Sequence, residues 1–138
     1  KIKILINDKH PLKTFDKIKL QQCINYPIIL NKEIEGIRTL IEIWETKNSC
    51  KFNNIITTDS NEFMTNYSQY ENCISFHLPI SISKNINNLL YKEIDDRDTM
   101  KGLIHIVQSK GRVLPVAASK FVNQILVDFN KNFPNETI

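Results

Sequence analysis

At 138 residues, 41% hydrophobic and 24% charged, the chain has the size and balance of one globular domain with a single core. No apolar run approaches the ~20 residues needed to span a bilayer. Cys23, Cys50 and Cys73 are odd in number and widely spaced, which argues against a disulfide framework or a thiolate zinc site and for a reducing, cytoplasmic setting. The net charge of +3 is uneven: residues 1–20 hold six lysines against two aspartates, a local +4 that leaves −1 for the other 118, yet no aromatic residues interleave and Arg is scarce, so this reads as a solvated lysine face and not a nucleic-acid surface.

The opening KIKILIN alternates Lys and Ile before turning apolar, the pattern of a strand over Ile2 to Asn7 with one wetter face. Strand character so close to the first residue, a Lys, reads as a piece of a longer chain. His10-Pro11 stops the strand, because Pro donates no ladder bond and restricts the residue before it. A polar link and a short helical turn ending near Asn25 follow.

Tyr26 to Trp44 is the organising stretch. YPIIL at 26–30 is too short for a helix and unalternated, which predicts a strand covered on both faces, as in parallel sheets. Beyond the polar corner Asn31 to Gly36, apolar residues recur at Ile37, Leu40, Ile41 and Trp44, the spacing of a one-faced helix reaching Lys47. FNNIIT at 52–57 returns to strand character, and Thr57 to Glu62 forms a second corner, where Asp59 or Ser60 caps a helix with Phe63, Met64 and Tyr67 on its apolar face. Cys73 to Phe76 is a further strand and His77-Leu78-Pro79 a third corner.

Ile80 to Asn88 is polar and reads as a loop, and Leu89 to Ile94 as a further strand. Asp95 to Asp98 is a solvated turn, since adjacent carboxylates on a turn point different ways and no companion ligand stands at metal spacing. LIHIVQ at 103–108 predicts another strand, with a turn over Ser109 to Arg112. Pro115 then opens a helix whose apolar positions run from Ala118 to Phe129 over about three turns. Residues 132–138 read as a tail.

Punctuation in this order resembles the effector-binding domain of LysR-type transcriptional regulators. The residues that carry the likeness are His10-Pro11-Leu12 after a strand, YPIIL with Gly36 and Arg38 entering a helix, the Thr58-Asp59-Ser60 corner, a strand ending in Leu78-Pro79, and KGRVLPVAASKFVNQIL at 110–126. One departure is the segment 66–73, NYSQYENC, where family members commonly carry glycines.

The resemblance implies an α/β fold like type 2 periplasmic binding proteins: two lobes with mostly parallel sheets and flanking helices, joined by two crossing strands around a small-molecule cleft. On that template residues 1–11 hold the first crossing strand (about 2–7) and residues 12–100 form the second lobe. Residues 101–131 contain the return strand (103–108) and a helix that docks on the first lobe, and 132–138 the tail. Most of the first lobe and a DNA-binding helix-turn-helix would lie upstream.

The three corners end strands of one sheet, so they should share the carboxyl-end rim where α/β proteins collect ligands. The expected effector contacts are Asn31, Thr57, Thr58, Asp59, Ser60, His77 and Pro79, offering hydroxyls, amides and helix N-termini to a small polar or anionic ligand. Each of the hydroxyls also suits capping alone, and His77 also suits a core or turn. In the resembled family the 37–47 helix contributes to a homodimer, which nominates Ile37, Leu40, Ile43 and Lys47. No metal, cofactor or catalytic group is expected: the histidines lack a nucleophile-and-orienter arrangement, and no G-x-S-x-G, H-E-x-x-H or P-loop is present. The alternatives are a solute-binding protein of a transport system, which shares the two-lobed form, and a small hydrolase.

Overall fold

The computed structural model describes residues 1–32, 36–79, 87–101 and 105–132. The chain divides into two compact units, Lys1–Gly102 and Leu103–Ile138.

In the first unit six strands form one sheet: β1 (Lys3–Asn7), β2 (Lys17–Ile18), β3 (Pro27–Asn31), β4 (Asn53–Thr58), β5 (Ile74–His77) and β6 (Leu89–Ile94), in the order β2-β6-β1-β5-β3-β4. β3 pairs parallel with β4 and β5, β2 pairs parallel with β6, and β1 runs antiparallel between β5 and β6. Among the described strands, five therefore point one way and β1 points back, a mixed but mostly parallel sheet. A one-turn helix α1 (Leu20–Cys23) and α2 (Ile37–Lys47) cover one face, and α3 (Asn61–Tyr70) lies on the other across β1, β4 and β5.

The period-two alternation of strands sorts the side chains between these faces. Ile4, Ile6, Ile28, Leu30, Ile74, Phe76 and Ile94 point into the main core with Leu20 and Cys23 of α1 and Ile41 and Trp44 of α2. Ile29 meets Met64 of α3 and Cys73 on the opposite side. The solid apolar run of β3 is thus buried on both faces, as its lack of alternation required. α2 follows its stripe: Ile41 and Trp44 are buried, Ile37 and Leu40 pack against the core, and Trp44 stacks on Phe52 with ring centroids 5.3 Å apart.

Two polar side chains close this core. Glu45, buried, accepts from the Phe52 amide (2.7 Å) and from Lys51 Nζ (2.8 Å), which ties the helix end to the entry of β4. Asp98 accepts from the Leu20 amide through Oδ2 and from Trp44 Nε1 through Oδ1, both at 3.0 Å. The acidic turn is therefore solvated in Asp95 and Asp96, which pair with Arg97 and Lys17, but Asp98 turns inward.

β4 is an edge strand with mostly exposed residues, and the register slips between Ile28 and Ile29, leaving Ile55 as an extra, 44% exposed residue in a bulge. Such bulges twist an edge away from further pairing. β2 and a 3-10 turn over Pro11–Thr14 have no counterpart in the sequence pattern, since segments of two to four residues carry no readable period.

In the second unit α4 (Val116–Asn132) spans 17 residues and buries no side chain. The 103–108 strand is not formed where it is described. His105–Gln108 join no ladder, and Val107 is 89% exposed. β-branched residues favour a pleated surface but do not create one, and among the described residues no strand pairs with 105–108. Leu103 and Ile104 lie outside the described residues, as do 33–35 of the first corner, 80–86 of the loop after β5, and 133–138 of the tail. No helix among the described residues is long and apolar enough to cross a membrane.

Replacing Asp98 by Ala strands the Leu20 amide and the Trp44 indole N–H without an acceptor, at an expected cost of about 2–3 kcal/mol in unfolding free energy. Urea denaturation followed by Trp44 fluorescence measures it, and Asp98→Asn, which keeps one acceptor, should recover part of the loss.

Candidate functional site

Because β3, β4 and β5 are mutually parallel, their carboxyl ends meet one edge of the sheet, and the register decides which side chains stand together there. Asn31 pairs with Thr58, and continuing the Ile29–Ser75 register by two residues sets Asn31 beside His77. β1 runs the other way, so its first residue arrives at the same rim: Lys3 pairs with His77 on one side and Glu93 on the other, and Glu93 pairs with Lys17. A polar row thus crosses all six strands on the α3 face: Thr58, Asn31, His77, Lys3, Glu93, Lys17.

The corner between β4 and α3 is built from its own hydrogen bonds. Ser60 Oγ accepts from the Phe63 amide (3.1 Å) as the N-cap of α3, and Thr58 Oγ1 accepts from the Ser60 amide (3.2 Å). Asp59 Oδ1 accepts from the Lys32 amide (3.2 Å), which ties the second corner to the first. Thr57 pairs with Leu30 and so belongs to the opposite face, where its Oγ1 accepts from Asn54 Nδ2 at 3.0 Å. α2 begins at Gly36, whose φ of 84° lies in the left-handed region, and it has neither a side-chain cap nor an acidic residue in its first turn. Arg38 donates to Glu42 (2.9 Å) and to the Asn31 carbonyl (3.4 Å).

His77 sits deeper than its neighbours, at 2% exposure. Its Nε2 meets Ser75 Oγ at 3.0 Å, Ser75 Oγ meets Ser68 Oγ at 3.3 Å, and Ser68 Oγ meets Cys73 Sγ at 3.6 Å, a buried polar chain under α3. The His77 ring lies edge-on to Tyr91 at 6.4 Å. Burial pushes His77 down to about 4 and Tyr91 up to about 12, and also raises the Cys73 thiol, so at neutral pH all three are uncharged. Among the described residues no carboxylate orients His77 as a triad would, and no group of three or more potential metal ligands occurs.

Of the residues expected at the site, Asn31, Thr58 and His77 stand in one row, Asp59 and Ser60 border it, Thr57 faces the other way, and Pro79 is half-buried just past β5. Sequence reasoning did not include Lys3, Glu93 or Tyr91. Their presence follows from the antiparallel insertion of β1 beside β5, which no local pattern announces.

No protein-family model and no curated protein matches this sequence. Solved structures do. The effector-binding domain of QuiR in complex with shikimate is 18% identical with a TM-score of 0.69, over 96% of this chain and 63% of that one. HinK, a LysR family transcriptional regulator from Pseudomonas aeruginosa, is 13% identical with a TM-score of 0.79, over 95% and 45%. The CcmR regulatory domain of Synechocystis PCC6803 in complex with 2-PG is 16% identical with a TM-score of 0.76, over 92% and 62%. The chain has the periplasmic-binding-protein-like α/β fold of effector-binding domains from LysR-family regulators, and it spans about half to two-thirds of the length of these neighbours.

His77 and the equally buried His10, whose Nδ1 accepts from the Leu12 amide and which burial also pushes down to about 4, take up protons more readily in the unfolded chain. The folded state should therefore hold its full stability above about pH 6.5 and lose up to about 2–3 kcal/mol per histidine as pH falls towards 4.5. Urea midpoints across that window check this, and His77→Gln should flatten the slope.

Proposed function

We propose that this chain is the effector-sensing portion of a LysR-type transcription regulator, which binds a small polar solute with at least one hydroxyl or anionic group and turns nothing over. The observation that carries this reading is the polar row at the carboxyl-end rim, in which Thr58 and Asn31 from separate βα units stand side by side. In sheets of this kind that edge is where small ligands bind. Thr58, Asn31, Asp59 and Ser60 are the proposed contacts nearest the row, with His77 as their uncharged buried floor and Thr57 and Pro79 at the margins. The uncapped start of α2 adds a backbone end that favours a partial negative charge. Shikimate and 2-PG in two neighbours of the same fold are ligands of the proposed size and polarity.

DNA contact, in this reading, belongs to a helix-turn-helix outside these 138 residues, and the setting is cytoplasmic. The outer face of α2 is the proposed homodimer contact. Ile37 and Leu40 turn mainly to the core, whereas Ile43, 58% exposed, and Lys47 one turn later face outward.

Titrating the chain with shikimate, sulfate, glucose and the α-amino acids while following backbone amide resonances tests the ligand site. One class should shift Lys32, Thr58 and Ser60, and Thr58→Val should weaken that binding about tenfold through loss of one hydrogen bond. Failure of every class to move these amides overturns the site. For the interface, Ile43→Glu should reduce self-association measured by sedimentation equilibrium and leave urea stability unchanged within about 0.5 kcal/mol.

A further inference from the structure

The charges along the rim row are already matched. Lys3 Nζ and Glu93 Oε1 lie 2.8 Å apart with their side chains 32% and 45% exposed, Lys17 pairs with Asp96, and beside the row Arg38 pairs with Glu42. A simple anion that engaged Lys3 would set a second negative charge beside Glu93 and leave that carboxylate without its partner. A simple cation at Glu93 would do the reverse to Lys3. A solute bearing one charge of each sign on neighbouring atoms leaves neither group alone, because each rim charge exchanges one partner for another.

We infer that the ligand of this rim is a zwitterion of the α-amino acid class, its carboxylate directed to Lys3 and its ammonium to Glu93. The inference rests on the rim being the effector site, as proposed above. The row supplies the rest of what such a ligand requires. Lys3 and Glu93 are cross-strand partners on β1 and β6, so their separation is set by the ladder and not by loop conformation. Asn31 and Thr58 stand two and three strands from Lys3 on the same face, about 10 and 14 Å away at roughly 4.8 Å per strand, so they are placed to meet the ligand's side chain and not its charged head. His77, beside Lys3 in the register and uncharged above about pH 4, adds no positive charge that would tip the row towards plain anions. Tyr91, two residues before Glu93 on β6 and half-buried, puts an aromatic ring on the same face, where it meets His77.

Three probe series sharing each side chain decide between the ligand classes: the α-amino acids, their α-hydroxy acids and their α-amino carboxamides, titrated against the chain with the amides of Lys3, Thr58 and Glu93 as reporters. At least one amino acid should shift all three, and its hydroxy-acid and carboxamide counterparts, each lacking one charge, should bind at least about tenfold more weakly. Glu93→Gln should abolish the preference for the amino acid over the hydroxy acid, and Lys3→Gln the preference over the carboxamide, in variants whose far-UV circular dichroism matches the parent. A hydroxy acid or sugar that moves the same amides as tightly as any amino acid overturns the zwitterion while the rim remains a ligand site. If no probe of any class moves them, the rim reading falls and this inference falls with it. Should either variant fail to fold, the ranking of the three series on the unsubstituted chain still separates a zwitterion from a plain anion or cation.

Discussion

The rest of the molecule depends on the common direction of β3, β4 and β5. Two of these strands are followed by a helix that carries the chain back over a face of the sheet, so successive strands begin at one edge and end at the other. Polar corners far apart in the chain are thereby delivered to a single rim. The burial that enforces this is apolar and two-sided: β3 contributes Ile28 and Leu30 to one core and Ile29 to the other, so a slip of one residue would exchange those sets and break both. The rim is polar because the strands end there, and it is ordered because they are buried behind it.

β1 gives the rim its charge. Running against its neighbours, it brings the start of the chain to the edge where the other strands finish, and the wet side of its alternating Lys-Ile pattern becomes part of the row. In the sequence Lys3 is one lysine of a solvated face. The place of β1 between β5 and β6 makes it the centre of a cross-strand triplet with His77 and Glu93. The same logic governs Asp98, one of four charged residues in a turn and the one that accepts from an indole N–H, since α1 and α2 both converge on it.

The helix from Ile37 to Lys47, the strand runs at 26–30 and 73–76, the Ser60 cap and the Pro-led helix at 116–132 are all legible in the sequence, each because a local rule governs it: a repeat of three to four residues, a solid apolar run, a capping hydroxyl, a proline with no amide to lose. Where the rule is not local, no pattern announces the outcome. The two residues of β2 have no period, and their strand exists because β6 offers an open edge. LIHIVQ has every propensity of a strand, yet the part of it described in the structure has no ladder to join. Thr57 and Thr58 are equivalent in their corner by residue type, but alternation sends one to each face.

What the sequence determined by itself was the list of elements and the positions of the turns between them, because helix and strand periods, caps and breakers act over a few residues. Strand order, the reversal of β1 and the row from Thr58 to Lys17 were decided only by the tertiary structure. Those depend on which edges remain unpaired and which apolar faces must be covered once all the elements are present, and no single segment carries that information.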